Sequence, residues 1–181
     1  MSTIGFDTSN YTTSTAWTDG KTDINVRQIL YVKDGERGIR QSDGVFQHMK
    51  LMPVMYEKLS EQIDFKDVKA VGVSTRPRCV EGSYMPVFLA GEGYAKVVAN
   101  TLGVPLYEFS HQDGHIMAGI YSSGSFELLE NDFISVHLSG GTTEILKSRY
   151  NEFNFDNEII GGSKDISAGQ FIDRVGVKMG L

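Results

Sequence analysis

The chain has 181 residues, of which 40% are hydrophobic, so it can bury one good core or two small ones. Seventeen Lys and Arg residues against 23 Asp and Glu residues give a formal net charge of −6, which disfavours binding to nucleic acid without a partner or a local basic patch. No apolar run approaches the roughly 20 residues that cross a bilayer, and no secretory signal precedes residue 20, so we expect a cytoplasmic protein without membrane contact. The single cysteine, Cys79, excludes an internal disulfide, and its residue type predicts partial burial.

The chain begins with a pattern typical of a small antiparallel sheet. Residues 4–9, 11–17 and 24–32 are rich in β-branched and aromatic side chains, and the turn signal Asp19-Gly20 separates the last two segments. We therefore predict three antiparallel strands.

Helices and strands then alternate. Residues 68–74 and 106–109 predict two strands, and a helix over 83–100 between them predicts a βαβ crossover. Before them, apolar residues at spacings of three and four predict the buried face of a helix. These residues are Val45, Met49, Met52, Tyr56, Leu59 and Ile63.

The strand, turn, strand pattern starts again later in the chain. A helix over 111–121 is followed by strands over 133–138 and 143–150, and a last helix is predicted over 165–179. This recurrence predicts two similar lobes, one over residues 1–130 and a second over 131–181 that we expect to be truncated. Apolar surface left open by the truncation predicts self-association as a homodimer.

Two turns, one in each predicted lobe, carry candidate nucleotide-binding residues. Asp7, Thr8 and Ser9 end the first strand, where backbone N–H groups could meet a phosphate, although turn chemistry alone also explains these residue types. The second turn runs from Leu138 through Ser139, Gly140 and Gly141. Its glycines allow close approach to a phosphate, and an ordinary hairpin remains the alternative.

His111 and His115 are candidate metal ligands. Their i, i+4 spacing places both rings on one face of the predicted helix, while an isolated histidine is usually structural. A zinc peptidase is disfavoured because Gln112 stands where such enzymes need a glutamate general base. We interpret His48 and His137 as structural.

These motifs, in this order, resemble the tRNA threonylcarbamoyladenosine synthase family, formerly called glycoproteases. The family's opening strand corresponds to residues 5–9, its metal pair to His111 and His115, and its phosphate turn to residues 139–141. A further helical motif corresponds to Asp165, Ala168, Gly169 and Asp173, with Asp173 as the implied contact to a nucleotide ribose.

The resemblance implies an α/β protein with an actin-like ATPase (ribonuclease H-like) fold, consisting of the first lobe and an incomplete second lobe. It implies an iron or zinc ion and a bound ATP or threonylcarbamoyl-adenylate, with transfer of threonylcarbamoyl to the exocyclic amine of a tRNA adenosine. The implied partners are a sister actin-like subunit, an ATPase and, through their complex, tRNA.

The chain departs from the family pattern at three places. Tyr11 and Thr12 replace an acidic pair, the basic segment 76–82 replaces a Gly-Pro-Gly loop, and the third metal ligand would lie beyond Leu181. A non-catalytic actin-like partner, or a divergent paralogue that binds nucleotide, is therefore the alternative function. An actin-like kinase fits the histidine pair less well.

Overall fold

The computed structural model describes residues 1–33 and 38–180. The chain divides into two compact units, Met1–Gly114 and His115–Leu181. The predicted lobes divide the chain at a later position, between residues 130 and 131, and their bounds stay a prediction.

The first unit contains a five-stranded mixed sheet in the order β3-β2-β1-β4-β5. β1, β2 and β3 form the predicted antiparallel start, whereas β4 and β5 run parallel to β1. The carboxyl ends of β1, β4 and β5 therefore meet at one edge of the sheet. The strands are β1 (Ser2–Asp7), β2 (Thr12–Thr18), β3 (Asp23–Ile29), β4 (Val68–Arg76) and β5 (Leu106–Ser110).

Two helices complete the first unit, α1 (Gln41–Ser60) and α2 (Phe88–Leu102), and a 3-10 turn covers Phe65–Asp67. α2 connects β4 to the parallel β5, which confirms the predicted βαβ crossover. Alternate residues of β1 and β4 pack against both helices, because successive side chains of a strand point to opposite faces of the sheet. The buried cluster consists of Ile4, Phe6, Met52, Leu59, Val68, Val71, Val73, Ala95 and Ala99.

The buried face of α1 differs from the predicted one. Met49 is exposed and Val45 only partly buried, while the buried positions are Gly44, His48, Met52, Met55 and Leu59. α1 is rotated relative to the prediction because the His48 ring is buried against β2, where its Nδ1 lies 2.7 Å from Thr13 Oγ1. This contact confirms the structural interpretation of His48. The prediction that Cys79 is partly buried is wrong, since it is exposed on the loop after β4.

The second unit contains an antiparallel sheet in the order β6-β7-β8. β6 (Phe133–Leu138) and β7 (Thr143–Tyr150) occupy the predicted positions, whereas β8 (Phe155–Gly162) was not predicted. The helices are α3 (His111–Ser123), which begins in the first unit, and α4 (Ala168–Met179), with a 3-10 turn at Phe126–Glu130. The buried cluster is Ile116, Ile120, Leu146 and Phe155.

Several large apolar side chains of the second unit are exposed. Every second residue of β6 is more than half exposed, and so is most of the apolar face of α4. The exposed side chains are Ile134, Val136, Leu138, Phe171, Ile172, Val177 and Met179. Among the described residues, no helix is both long and apolar enough to cross a membrane.

The buried His48 predicts loss of stability in acid. Burial lowers the pKa of His48 below 6.5 and outweighs the Asn10 backbone and the Asp7 charge, which raise it. The unfolded chain then binds a proton that the folded chain does not, so this contribution is present above about pH 6.5 and is lost as the pH falls through the folded pKa. As the pH falls below about 6.5, we expect the free energy of unfolding to decrease by at most about 1.4 kcal/mol per pH unit.

Urea unfolding followed by the fluorescence of Trp17, the chain's one tryptophan, measures this loss in the first unit. The matched variant is His48→Asn, whose amide can keep the bond to Thr13 and does not titrate. A pH dependence as steep in the variant as in the parent would contradict the assignment to His48.

Candidate functional site

The carboxyl edge of the parallel strands brings polar side chains of the first unit together. Asp7 ends β1, Ser74 lies beside it near the end of β4, and His111 directly follows β5. Loops and helix starts at this edge of an open α/β sheet are the usual place for ligands. The sequence predicted Asp7 and His111 separately, and the fold of the first unit brings them into contact.

The Asp7 carboxylate forms hydrogen bonds through both of its oxygens. Oδ1 accepts from the backbone N–H of Ser9 at 2.7 Å, and Oδ2 lies 2.9 Å from His111 Nδ1. Burial raises the pKa of Asp7, but the hydrogen bond and charge of His111, with hydrogen bonds from Ser74 and Ser9, outweigh it and hold the pKa at about 2. The carboxylate is therefore ionised at neutral pH and acts only as an acceptor.

A capping box fixes the start of α3 and with it the backbone of His111. The buried Ser110 donates to Asp113 Oδ2 through its backbone N–H at 2.9 Å and through its hydroxyl at 2.6 Å. Asp113 N–H in turn donates to Ser110 Oγ at 3.1 Å. The sequence predictions do not include this pair, although Ser-x-x-Asp spacing before a helix is a signal for a capping box.

Thr8 has a structural role, because its side chain bonds to the start of α2. Its side chain is fully buried, its hydroxyl donates to Val87 O at 2.8 Å, and the same oxygen accepts from the Gly91 N–H at 3.0 Å. Both hydrogen bonds join the turn after β1 to the start of α2. The predicted phosphate contact of this turn is consequently limited to its backbone and to Ser9, which is partly buried.

The second turn is held by its own serine and by the start of α4. Ser139 Oγ accepts from the N–H of Gly141 at 3.3 Å and of Thr142 at 2.9 Å. Ser167, the N-cap of α4, donates its hydroxyl to Gly140 O at 2.7 Å. Gly169 N–H donates to Ser139 O at 3.3 Å. The helix start and the glycine turn thus form one hydrogen-bonded unit.

The remaining candidates lie on the surface of the second unit. Asp173 and Asp165 are exposed, the former on α4 and the latter before it, and Leu138 is exposed at the end of β6. The predicted helix over 165–179 begins later, at Ala168, because Ser167 caps it. The contact of Asp173 with a ribose stays a prediction.

α3 carries both predicted metal ligands. For His111, the bond from Nδ1 to the Asp7 carboxylate makes Nε2 the nitrogen that would ligate a metal, which fits a metal-binding histidine. In the second unit, the ring of His115 lies 5.6 Å from that of His137, centroid to centroid, so His137 has an imidazole neighbour that the sequence did not indicate. Within residues 1–33 and 38–180, no group of three His, Cys, Asp or Glu side chains is arranged to hold a metal ion.

Several known proteins that are similar to this chain in sequence share one description. The family profile of TsaD, tRNA N6-adenosine threonylcarbamoyltransferase, matches residues 36–181. A relative with that description from Christiangramia forsetii is 32% identical over 133 residues, covering 72% of this chain and 36% of the relative. Another, from Pyrobaculum calidifontis, is 28% identical over 183 residues, covering 98% of this chain and 49% of the relative. The chain thus spans less than half the length of these relatives.

A solved structure shares the fold of this chain, in agreement with the fold class that the resemblance implied. YeaZ from Pseudomonas aeruginosa superimposes with a TM-score of 0.53 at 12% identity, over 92% of this chain and 69% of the other. At this level of identity the likeness concerns the fold alone.

Because Thr8 is buried against Gly91, we expect that a larger residue at position 91 destabilises the protein. A Cβ at Gly91 would lie 2.9 Å from Thr8 Oγ1, whereas a Cβ at Gly93, on the same helix, would meet nothing within 4 Å. We expect Gly91→Ala to lower the free energy of unfolding by about 1–3 kcal/mol and Gly93→Ala to raise it by about 0.5–1 kcal/mol. Urea unfolding followed by Trp17 fluorescence measures both, and equal effects would contradict the role of Thr8.

The contact of α4 with the glycine turn gives a second pair of variants. A Cβ at Gly169 would lie 2.6 Å from Gly140 Cα and 2.7 Å from Ser139 O, both backbone atoms, whereas one at Gly176 would meet nothing within 4 Å. We expect Gly169→Ala to shift the NMR amide signals of the turn and to destabilise the second unit by about 1–3 kcal/mol. Gly176→Ala should leave those signals in place.

Proposed function

Since the chain belongs to the tRNA N6-adenosine threonylcarbamoyltransferase family, we propose that it forms the N-terminal part of an enzyme that transfers threonylcarbamoyl from threonylcarbamoyl-adenylate to the exocyclic amine of a tRNA adenosine. The observation that carries the proposal is the match over residues 36–181, which includes His111, His115 and the glycine turn. The matched relatives are longer, so the activity is proposed for a form that covers their full length.

In this proposal the Ser139–Gly141 turn binds phosphate through its backbone. A Cβ added to Gly140 or Gly141 would meet nothing within 4 Å, so a ligand can approach the backbone of both residues closely. The nearby start of α4 adds the partial positive charge of a helix N-terminus to the same turn. Asp173 would accept hydrogen bonds from the ribose hydroxyls.

The proposed metal ligands on this chain are His111 and His115. When bound, an iron or zinc ion supplies Lewis-acid polarisation of a carbonyl oxygen. The contribution of the chain is positioning, since the Asp7 carboxylate orients the ring of His111.

In this proposal, partner proteins supply the attraction for tRNA that the charge of this chain does not provide. A formal net charge of −6 gives little general attraction for tRNA. We therefore infer that tRNA is held through a complex with a sister actin-like subunit and an ATPase. The exposed apolar side chains of β6 and α4 support the proposal of self-association when this chain is alone.

The turn after β1 favours a second candidate, a non-catalytic actin-like partner subunit that binds nucleotide. Tyr11 is 39% exposed, Thr12 pairs with Ile29 in the sheet, and neither side chain can take over the acid–base chemistry of a carboxylate pair. This candidate predicts no acyl transfer by any form of the protein.

The test is an acyl-transfer assay with labelled threonine, ATP, tRNA and the partner enzymes that make the adenylate. We expect no transfer by the 181-residue chain alone, because its described residues provide no three-ligand metal group. A longer form covering the length of the relatives should transfer threonylcarbamoyl, and His111→Ala should lower its rate by about 100-fold or more.

The control variant is Asp19→Asn, which changes an exposed carboxylate in a distant turn and should leave the rate unchanged. Transfer by the 181-residue chain alone would show that it needs no further ligand. An inactive longer form, with active partner enzymes, would favour the non-catalytic subunit.

A further inference from the structure

We propose that Asp7 is a positioning residue for His111. The Asp7 carboxylate holds the His111 imidazole in the Nδ1–H tautomer and presents Nε2 as the nitrogen that ligates a divalent transition metal ion. The inference rests on the metal site of the proposed function, and it assigns Asp7 a role different from the nucleotide contact that the sequence predicted.

A hydrogen bond joins the two side chains, and its proton lies on the histidine. Asp7 Oδ2 and His111 Nδ1 are 2.9 Å apart, a hydrogen-bonding distance. A carboxylate at neutral pH only accepts hydrogen bonds, so Nδ1 must donate and carries the proton. In a neutral imidazole the other nitrogen, Nε2, then has the lone pair that a metal ion needs.

The Asp7 carboxylate cannot turn away from the histidine without losing another hydrogen bond. Its Oδ1 accepts from the Ser9 N–H at 2.7 Å. Asp7 itself ends β1 and is paired with Ser14 of β2. A hydrogen-bonded side chain on a strand end is a more precise support than one on a loop.

The backbone of His111 is fixed independently of Asp7. His111 is the first residue of α3, next to the Ser110–Asp113 capping box. The following residue, Gln112, donates its N–H to Pro77 O at 3.0 Å, and the ring of Phe88 lies 6.3 Å from the imidazole. Both partners of the hydrogen bond thus stand on ordered elements of the first unit.

The consequence for metal binding follows from the chemistry of histidine ligands. A carboxylate that accepts from the second ring nitrogen fixes the tautomer and the ring orientation and makes the ligating nitrogen more basic. Removing such a partner typically lowers metal affinity by about 10–100-fold. The effect should therefore appear in metal binding even without substrate or partner proteins.

The tautomer is measured first, by long-range ¹H–¹⁵N NMR of the 181-residue chain labelled in its histidines, above the pH at which imidazole is protonated. His111→Ala identifies the His111 signals. We expect the parent to show His111 with Nδ1 protonated and Nε2 unprotonated, and Asp7→Asn, which has the same shape without the charge, to lose this preference. A parent in the Nε2–H tautomer would overturn the proposal.

Metal affinity is measured second, by titration with Co²⁺ followed through its visible absorption and the response of the His111 signals. We expect Asp7→Asn to weaken Co²⁺ binding by about 10–100-fold. Asp19→Asn is the matched control, because Asp19 also accepts two backbone N–H bonds, from Lys21 and Thr22, in a turn without a histidine. Its affinity should equal that of the parent.

Equal affinity of Asp7→Asn and the parent, or a parent whose His111 signals do not respond to Co²⁺, would overturn the proposal. Neither measurement uses tRNA or threonylcarbamoyl-adenylate. Failure of Asp7 as a positioning residue and failure of the proposed transferase activity are therefore separate results.

Discussion

The first unit depends on a polar contact inside its core, the hydroxyl of Thr8 between β1 and α2. Burying a hydroxyl without hydrogen-bond partners costs free energy. The Thr8 hydroxyl has a partner both as donor, to Val87 O, and as acceptor, from the Gly91 N–H. Only a glycine at 91 leaves room for this oxygen. The two bonds fix the turn after β1, directly next to Asp7, whose carboxylate bonds to His111.

The same arrangement recurs in the second unit with other residues. There the N-terminal end of α4 lies on a glycine turn, Ser167 and Gly169 bond to the backbone of that turn, and a Cβ at Gly169 would collide with it. In both units a helix meets the loop after the first strand of its sheet through a glycine on the helix. Small residues at these positions are therefore required by packing, before any ligand is considered.

The candidate site depends both on local spacing within one helix and on a contact between residues distant in the chain. The histidine pair follows from i, i+4 spacing on one helix, but the orientation of His111 comes from a residue 104 positions earlier in the chain. Since the chain spans less than half of the relatives that define its family, the described part supplies positioning groups and two of the proposed ligands.

Local patterns in the sequence determined the strands β1 to β7, the four helices and the histidine pair, because the periodicity of apolar residues and turn signals acts over a few residues. They did not determine β8, or the rotation of α1, where a buried polar contact between His48 and Thr13 outweighed the apolar periodicity. Only the tertiary structure placed Asp7 against His111. Parallel pairing of β1, β4 and β5 brings their carboxyl ends to one edge, and hydrogen bonds between residues distant in the chain leave no local signature.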